Sequence, residues 1–136
     1  MAVFLRTPLG SLTQLPGRGG CVTAGGSGGL CEEAPGLVDA SSVVVSPDGK
    51  SVYTTALHTT QGGVAGFTRD PLTGRLTPGA CLGSAKITTC GKARNVLAPS
   101  GVALAPDGTT LYVASLGVRP PRQPPHGGGV AVLRRS

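Results

Sequence analysis

The sequence predicts an all-β chain built from a repeated four-stranded antiparallel unit, and three observations carry that expectation. Val43-Val-Val-Ser-Pro-Asp-Gly-Lys-Ser-Val-Tyr53 recurs as Val102-Ala-Leu-Ala-Pro-Asp-Gly-Thr-Thr-Leu-Tyr112, with Pro47 and Pro106 setting a period of 59 residues (106 − 47). The cysteines keep the same register: Cys21 answers Cys81 at 60 residues (81 − 21), and Cys31 answers Cys90 at 59 (90 − 31). No stretch carries apolar residues at helical spacing for long enough to define a helix, whereas short alternating runs bounded by turn residues recur throughout.

Each element follows in chain order, with the four strands of a unit lettered A to D. Strand C opens the chain at Ala2–Arg6 and strand D follows at Ser11–Gln14. The first complete unit has strand A at Ser42–Ser46, alternating and closed by Pro47, then strand B at Ser51–Ala56, rich in β-branched residues and Tyr. Pro-Asp-Gly joins them: Pro pre-sets φ, Asp bonds back to the backbone, and Gly accepts a positive φ. Strand C returns at Gly63–Thr68, turns through Asp70-Pro-Leu-Thr-Gly74, and leads into strand D at Arg75–Thr77. The next copy supplies A at Gly101–Ala105, B at Thr110–Ser115 and C at Val130–Arg134. Phe4, Pro8 and Leu12 match Phe67, Pro71 and Leu76, so the opening strands belong to the same repeat. Alternation predicts that Val43, Val45, Val102 and Leu104 share the buried face.

Four short antiparallel strands at a constant period describe a β-propeller blade. The chain therefore divides into a partial blade with a cysteine loop (1–39), a complete blade with a second cysteine loop (40–99), and a partial blade (100–136). Ser46-Pro-Asp-Gly-Lys-Ser-Val-Tyr53, Ala105-Pro-Asp-Gly-Thr-Thr-Leu-Tyr112 and Val64-Ala-Gly-Phe-Thr-Arg-Asp70 resemble the repeat of the YVTN and lactonase-like seven-bladed propellers. The resemblance is to bacterial secreted forms with a Cys-containing inter-blade loop. It implies a partial propeller and admits two functions. One is a repeat scaffold or binding module in a larger secreted or cell-surface protein. The other is a portion of a hydrolase like the 6-phosphogluconolactonase propellers, acting on a small anionic lactone. WD40 propellers match less well, because the chain has no Trp. Fold alone does not select between the functions.

Only the middle blade is complete, and a propeller needs at least four. The chain is then either a fragment of a longer reading frame or one of several copies that close a ring together. Joining the terminal A-B-C to the next chain's C-D would supply strand C twice. The partners expected are the remaining blades, or further copies associating through exposed strand edges. With aromatics at 3%, the core must be built from Val, Leu and Ala, and stability should be marginal.

Four cysteines permit three pairings. Repeat equivalence favours Cys21–Cys31 and Cys81–Cys90, each closing a loop of about ten residues and contributing about 2–3 kcal/mol. Free thiols and a metal site are the alternatives; no C-x-x-C occurs. Disulfides imply an oxidising compartment, hence an extracellular or cell-envelope location. Yet Met1–Arg6 has no basic region and no cleavage motif, so no signal peptide is legible, and a preceding segment is expected. No apolar run approaches a membrane span.

The net charge of +6 comes from bases scattered along the chain without aromatic interleaving, which argues against a nucleic-acid partner. In a propeller, the B–C and D–A connections emerge on one face. That would gather His58, Lys86, Lys92, Arg94, Arg119, Arg122 and His126 into a basic surface suited to a small anionic ligand. Exposed loop residues without a ligand are the plainer reading. Arg119–His126 is Pro-rich and reads as a stiff loop or a polyproline II segment. Asp48, Asp70 and Asp107 belong to turns, leaving Glu32, Glu33 and Asp39 for chemistry. Gly25–Gly29 lacks the Lys and helix of a phosphate loop, and Ser27 has no partner base in a nucleophile elbow. No catalytic residue, metal or cofactor can be named from these residues.

Overall fold

The computed structural model describes residues 1–84, 88–117 and 128–135, and among these there is no α-helix. Strands β1 (Phe4–Arg6) and β2 (Leu12–Gln14) form an antiparallel pair. Strands β3 (Val22–Thr23) and β4 (Glu32–Glu33) form a short parallel one. The central sheet runs in chain order through β5 (Ala40–Val45), β6 (Ser51–Ala56), β7 (Val64–Arg69) and β8 (Leu76–Gly83), all antiparallel. A two-residue strand β9 (Gly91–Lys92) adds to β8 in parallel. The last sheet is β10 (Pro99–Leu104), β11 (Thr110–Ser115) and β12 (Gly129–Arg134), again antiparallel. The described residues are all-β, and none of their sheets closes on itself.

The hairpins form where the turn chemistry demands. The Ser46 carbonyl accepts the Gly49 N–H at 2.8 Å, and the Asp48 carboxylate accepts the Lys50 N–H at 3.0 Å. The second copy repeats this with Gly108 N–H on the Ala105 carbonyl at 2.8 Å and Thr109 N–H on Asp107 at 2.9 Å. Gly49 and Gly108 have φ of 69° and 71°, a region that costs a side chain about 1–2 kcal/mol. Strand β8 runs further than the sequence predicts, past Pro78 and Gly79. A bulge between Ala65 and Phe67 absorbs the irregularity, and Pro78 lies on an outer strand of the antiparallel four.

The central sheet is apolar on both faces and packs on both. On one side Val52, Ala65, Phe67 and Leu76 form a core with Val22, Ala34, Leu37, Cys81 and Cys90, against which Met1 and Val3 also pack. On the other side Val64, with Val44 and Tyr53 beside it, meets Leu111, Val113 and Ala131 of the last sheet. Strand β10 lies against β5 and β6, and the Ser41 hydroxyl donates to the Pro99 carbonyl at 3.2 Å across this junction.

The expected strand face keeps the same register in both copies but is covered in one and bare in the other. Val102 and Leu104 are half-buried while Ala103 is exposed, as alternation predicts. Val43 and Val45 are instead 57% and 50% exposed, and Val44 is the half-buried residue. The register places Val43 opposite Thr54 and Val45 opposite Val52, on the face shared with Phe67. That face is covered over β6–β8 by the N-terminal strands and bare over β5, so the neighbour rather than the pattern decides burial.

Both disulfides join cysteines within a repeat, Cys21–Cys31 and Cys81–Cys90, and no free cysteine remains. The described parts of the D–A connections carry pairing that their sequences do not suggest. Parallel pairing recurs across each bridge, Val22 with Glu32 in the first and Leu82 with Gly91 in the second. Left-handed positions repeat with the period too: Gly36 and Asn95, then Asp39 and Ala98, each 59 apart (95 − 36, 98 − 39). Gly36 has a φ of 76°, which favours glycine, and its Cα side lies close to the second bridge: a Cβ there would sit 3.4 Å from the Cys90 sulfur.

Val113 is fully buried between the sheets, so Val113→Ala is expected to cost about 2 kcal/mol in urea unfolding. Val45→Ala, on the bare face, is expected to cost under about 0.5 kcal/mol. Equal losses would contradict the packing described.

Candidate functional site

The loops that follow β6 and those that carry the disulfides do converge. Thr60 and Gln61 from the first, Glu33, Pro35 and Gly36 from the first cysteine connection, and Thr88 from the second line an open hollow of about 670 Å³. Among the described residues its one charged wall residue is an acid, Glu33, and the remaining polar side chains there are hydroxyls and an amide. Lys92 and Arg94 line a separate hollow of about 430 Å³ beside Asn95 and the strand β12. Lys86, Arg119, Arg122 and His126 fall outside the described residues.

His58 is half-buried, and its ring organises its own loop. Nδ1 accepts the backbone N–H groups of Gln61 at 3.1 Å and Thr60 at 3.3 Å, while the His58 carbonyl accepts the Gly62 N–H at 2.8 Å. An accepting Nδ1 places the neutral ring's proton on Nε2. This is the geometry of a turn cap.

Most carboxylates have structural partners. Glu32 takes Arg75 at 2.9 Å and Arg18 at 3.5 Å, tying the first cysteine loop to the start of β8. Asp70 accepts the N–H groups of Thr73 and Leu72, and these, Thr73 first, hold its pKa below the usual carboxylate range. The Thr109 N–H and hydroxyl do the same for Asp107. Asp48 is lowered furthest, first by the Ser46 hydroxyl, then by the Lys50 N–H and Arg135. Among the described residues no group of three or more His, Cys, Asp or Glu side chains gathers as a metal-ligand set.

One residue that sequence reasoning missed is Arg135. Its guanidinium donates to Asp48 at 3.1 Å and Ser51 at 3.0 Å in the central sheet, and to the Gly108 carbonyl at 3.4 Å in its own. It therefore stitches two sheets together across their A–B turns. The signal was present: an arginine stands two residues after Phe67 and after each of its repeat counterparts, in Phe4-Leu-Arg6, Phe67-Thr-Arg69 and Leu133-Arg-Arg135. Arg69 repeats the local half of the contact, donating to the Gly49 carbonyl at 3.0 Å.

No family model, curated protein or solved structure matches the chain.

The three turn aspartates bind N–H and hydroxyl donors as anions, so their folded pKa values lie below the unfolded value. Their contribution is complete above about pH 4 and is lost as pH falls through the lowered values. Urea midpoints should stay level from about pH 7 to 5 and decline below about pH 4. Asp48→Asn should flatten part of that decline; an unaltered acid limb would show that the Asp48 contacts contribute nothing.

Proposed function

We propose that the chain is a β-propeller repeat module acting as a scaffold or binding unit, part of a larger secreted or cell-surface protein. The observation that carries this reading is the packing of two repeat-equivalent sheets. They stack face to face with their first strands side by side, and the Asp48–Arg135 pair and the Ser41–Pro99 hydrogen bond cross between them. Stacking of this kind is how one blade covers the next. The two disulfides fit an oxidising compartment, which supports the extracellular placement.

The basic hollow holding Lys92 and Arg94 beside β12 is where a small anionic ligand would bind in this reading. The lactonase-like alternative rests on the family resemblance alone. His58 Nδ1 and three of the aspartates are engaged in turns, and Glu32 is engaged by two arginines. A general base needs reach to its substrate, and these groups are held by their own loops.

The purified chain should show no hydrolysis of an aldonic δ-lactone, with or without added Ca²⁺ or Mg²⁺. Turnover that rises with enzyme concentration would overturn the scaffold reading, and its loss in His58→Ala would identify the base.

A further inference from the structure

Residues at equivalent positions of the repeat differ sharply in exposure, and the differences fall on two surfaces. Phe67 and Leu76 are 4% and 5% exposed, whereas their counterparts Phe4 and Leu12 are 52% and 65% exposed. The registers are the same: Arg6 pairs with Leu12 as Arg69 pairs with Leu76. At the other end Val130 and Val132 are 62% and 63% exposed, and Tyr112 is 44% exposed where Tyr53 is half-buried. Within the chain, the positions equivalent to Val130 and Val132 are Met1 and Val3 in the first repeat and Val64 and Gly66 in the second, three and one residues ahead of Phe4 and Phe67, which match Leu133. Met1 and Val3 pack against the core that holds Phe67 and Leu76. The chain therefore contains a working example of the contact for which its two ends carry the unmatched halves.

The charges match in the same register. Asp48, in one A–B turn, accepts Arg135 from the third strand of the following sheet at 3.1 Å. Asp107 is the counterpart of Asp48, and its turn contacts use Oδ1. Arg6 is the counterpart of Arg135 and stands at the end of β1 beside Phe4.

We propose that two copies of this chain associate head to tail, the outer face of the β10–β12 sheet in one copy covering the β1–β2 pair of the next. Tyr112, Val130 and Val132 lie over Phe4 and Leu12, and Asp107 accepts Arg6. This docking stacks sheet faces and uses no strand edge, so strand C is not supplied twice at any one position. Such a contact is heterologous and closes into a ring or continues as its rotation dictates. It rests on the repeat-scaffold reading, and the two fail separately: lactone turnover tests that reading, whereas oligomeric state tests this one.

Sedimentation velocity on the oxidised full chain provides the test. The wild type should form a species larger than the monomer as concentration rises toward about 100 µM, a range in which modest interfaces assemble. Val132→Glu should weaken association by about tenfold or more, because it buries a charge without a partner. Asp107→Arg should weaken it similarly through repulsion from Arg6, and Asp107→Arg with Arg6→Asp in the same chain should restore it. Circular dichroism checks that each exposed substitution leaves the β-structure intact. A chain that remains monomeric up to about 1 mM would overturn the proposal. So would association insensitive to Val132→Glu, or a charge reversal that the second substitution does not rescue.

Discussion

Everything in this fold depends on sheets that are apolar on both faces. A surface β-sheet hides one face and wets the other; the central sheet here needs a neighbour on each side. Phe67, Val52 and Leu76 fill one face, while Tyr53 and Val64, with Val44, fill the other. With 3% aromatic residues, little area is buried per strand, so stability has to come from the number of stacked layers. Where a layer is present the side chains are buried, and where it stops they are bare, as at Val43, Val45, Tyr112 and Val132.

Polar interactions set the spacing and tilt of those layers. The Pro-Asp-Gly turns bring an aspartate to the same height in each sheet, and Arg135 reaches across from one turn to the next. At the opposite end of the strands, Ser41 links β5 to the carbonyl of Pro99. The long connections between sheets are held by a disulfide, a two-residue parallel ladder and a pair of left-handed residues, each repeated. Gly36 lets the Cys81–Cys90 bridge lie directly against the first connection, so the two loops brace one another. Turn and loop contacts of this kind also occupy His58 Nδ1 and most of the carboxylates among the described residues.

Much of this was legible in the sequence. Strands β6 and β11 follow from β-branched runs after a Pro-Asp-Gly turn, and the disulfide pairing follows from repeat equivalence. The faces of β5 were not legible, because Val43-Val-Val45 is apolar on both sides and period-two alternation cannot choose between them. The parallel ladders of β3, β4 and β9 escaped notice because two-residue strands carry no pattern. At the candidate site, most of the basic residues expected there fall outside the described residues. Glu33 lines the hollow at the loops, while Lys92 and Arg94 turn toward β12. Arg135 was visible as a recurring arginine, yet a single charge at a strand end has no meaning until its partner turn is placed beside it.

The central claim is that the β5–β8 sheet packs its Tyr53 face on the Leu111 face of the β10–β12 sheet. Nuclear Overhauser contacts in solution report it directly, and only two tyrosines need assignment. In dilute protein the Tyr53 ring should contact methyl groups of Leu111 and Leu133, with which it lines a common hollow. The Tyr112 ring, on the outer face, should contact no side chain of the β5–β8 sheet. A Tyr53 ring without contacts to the last sheet, or a Tyr112 ring contacting the central one, would contradict the stacking on which the account is built.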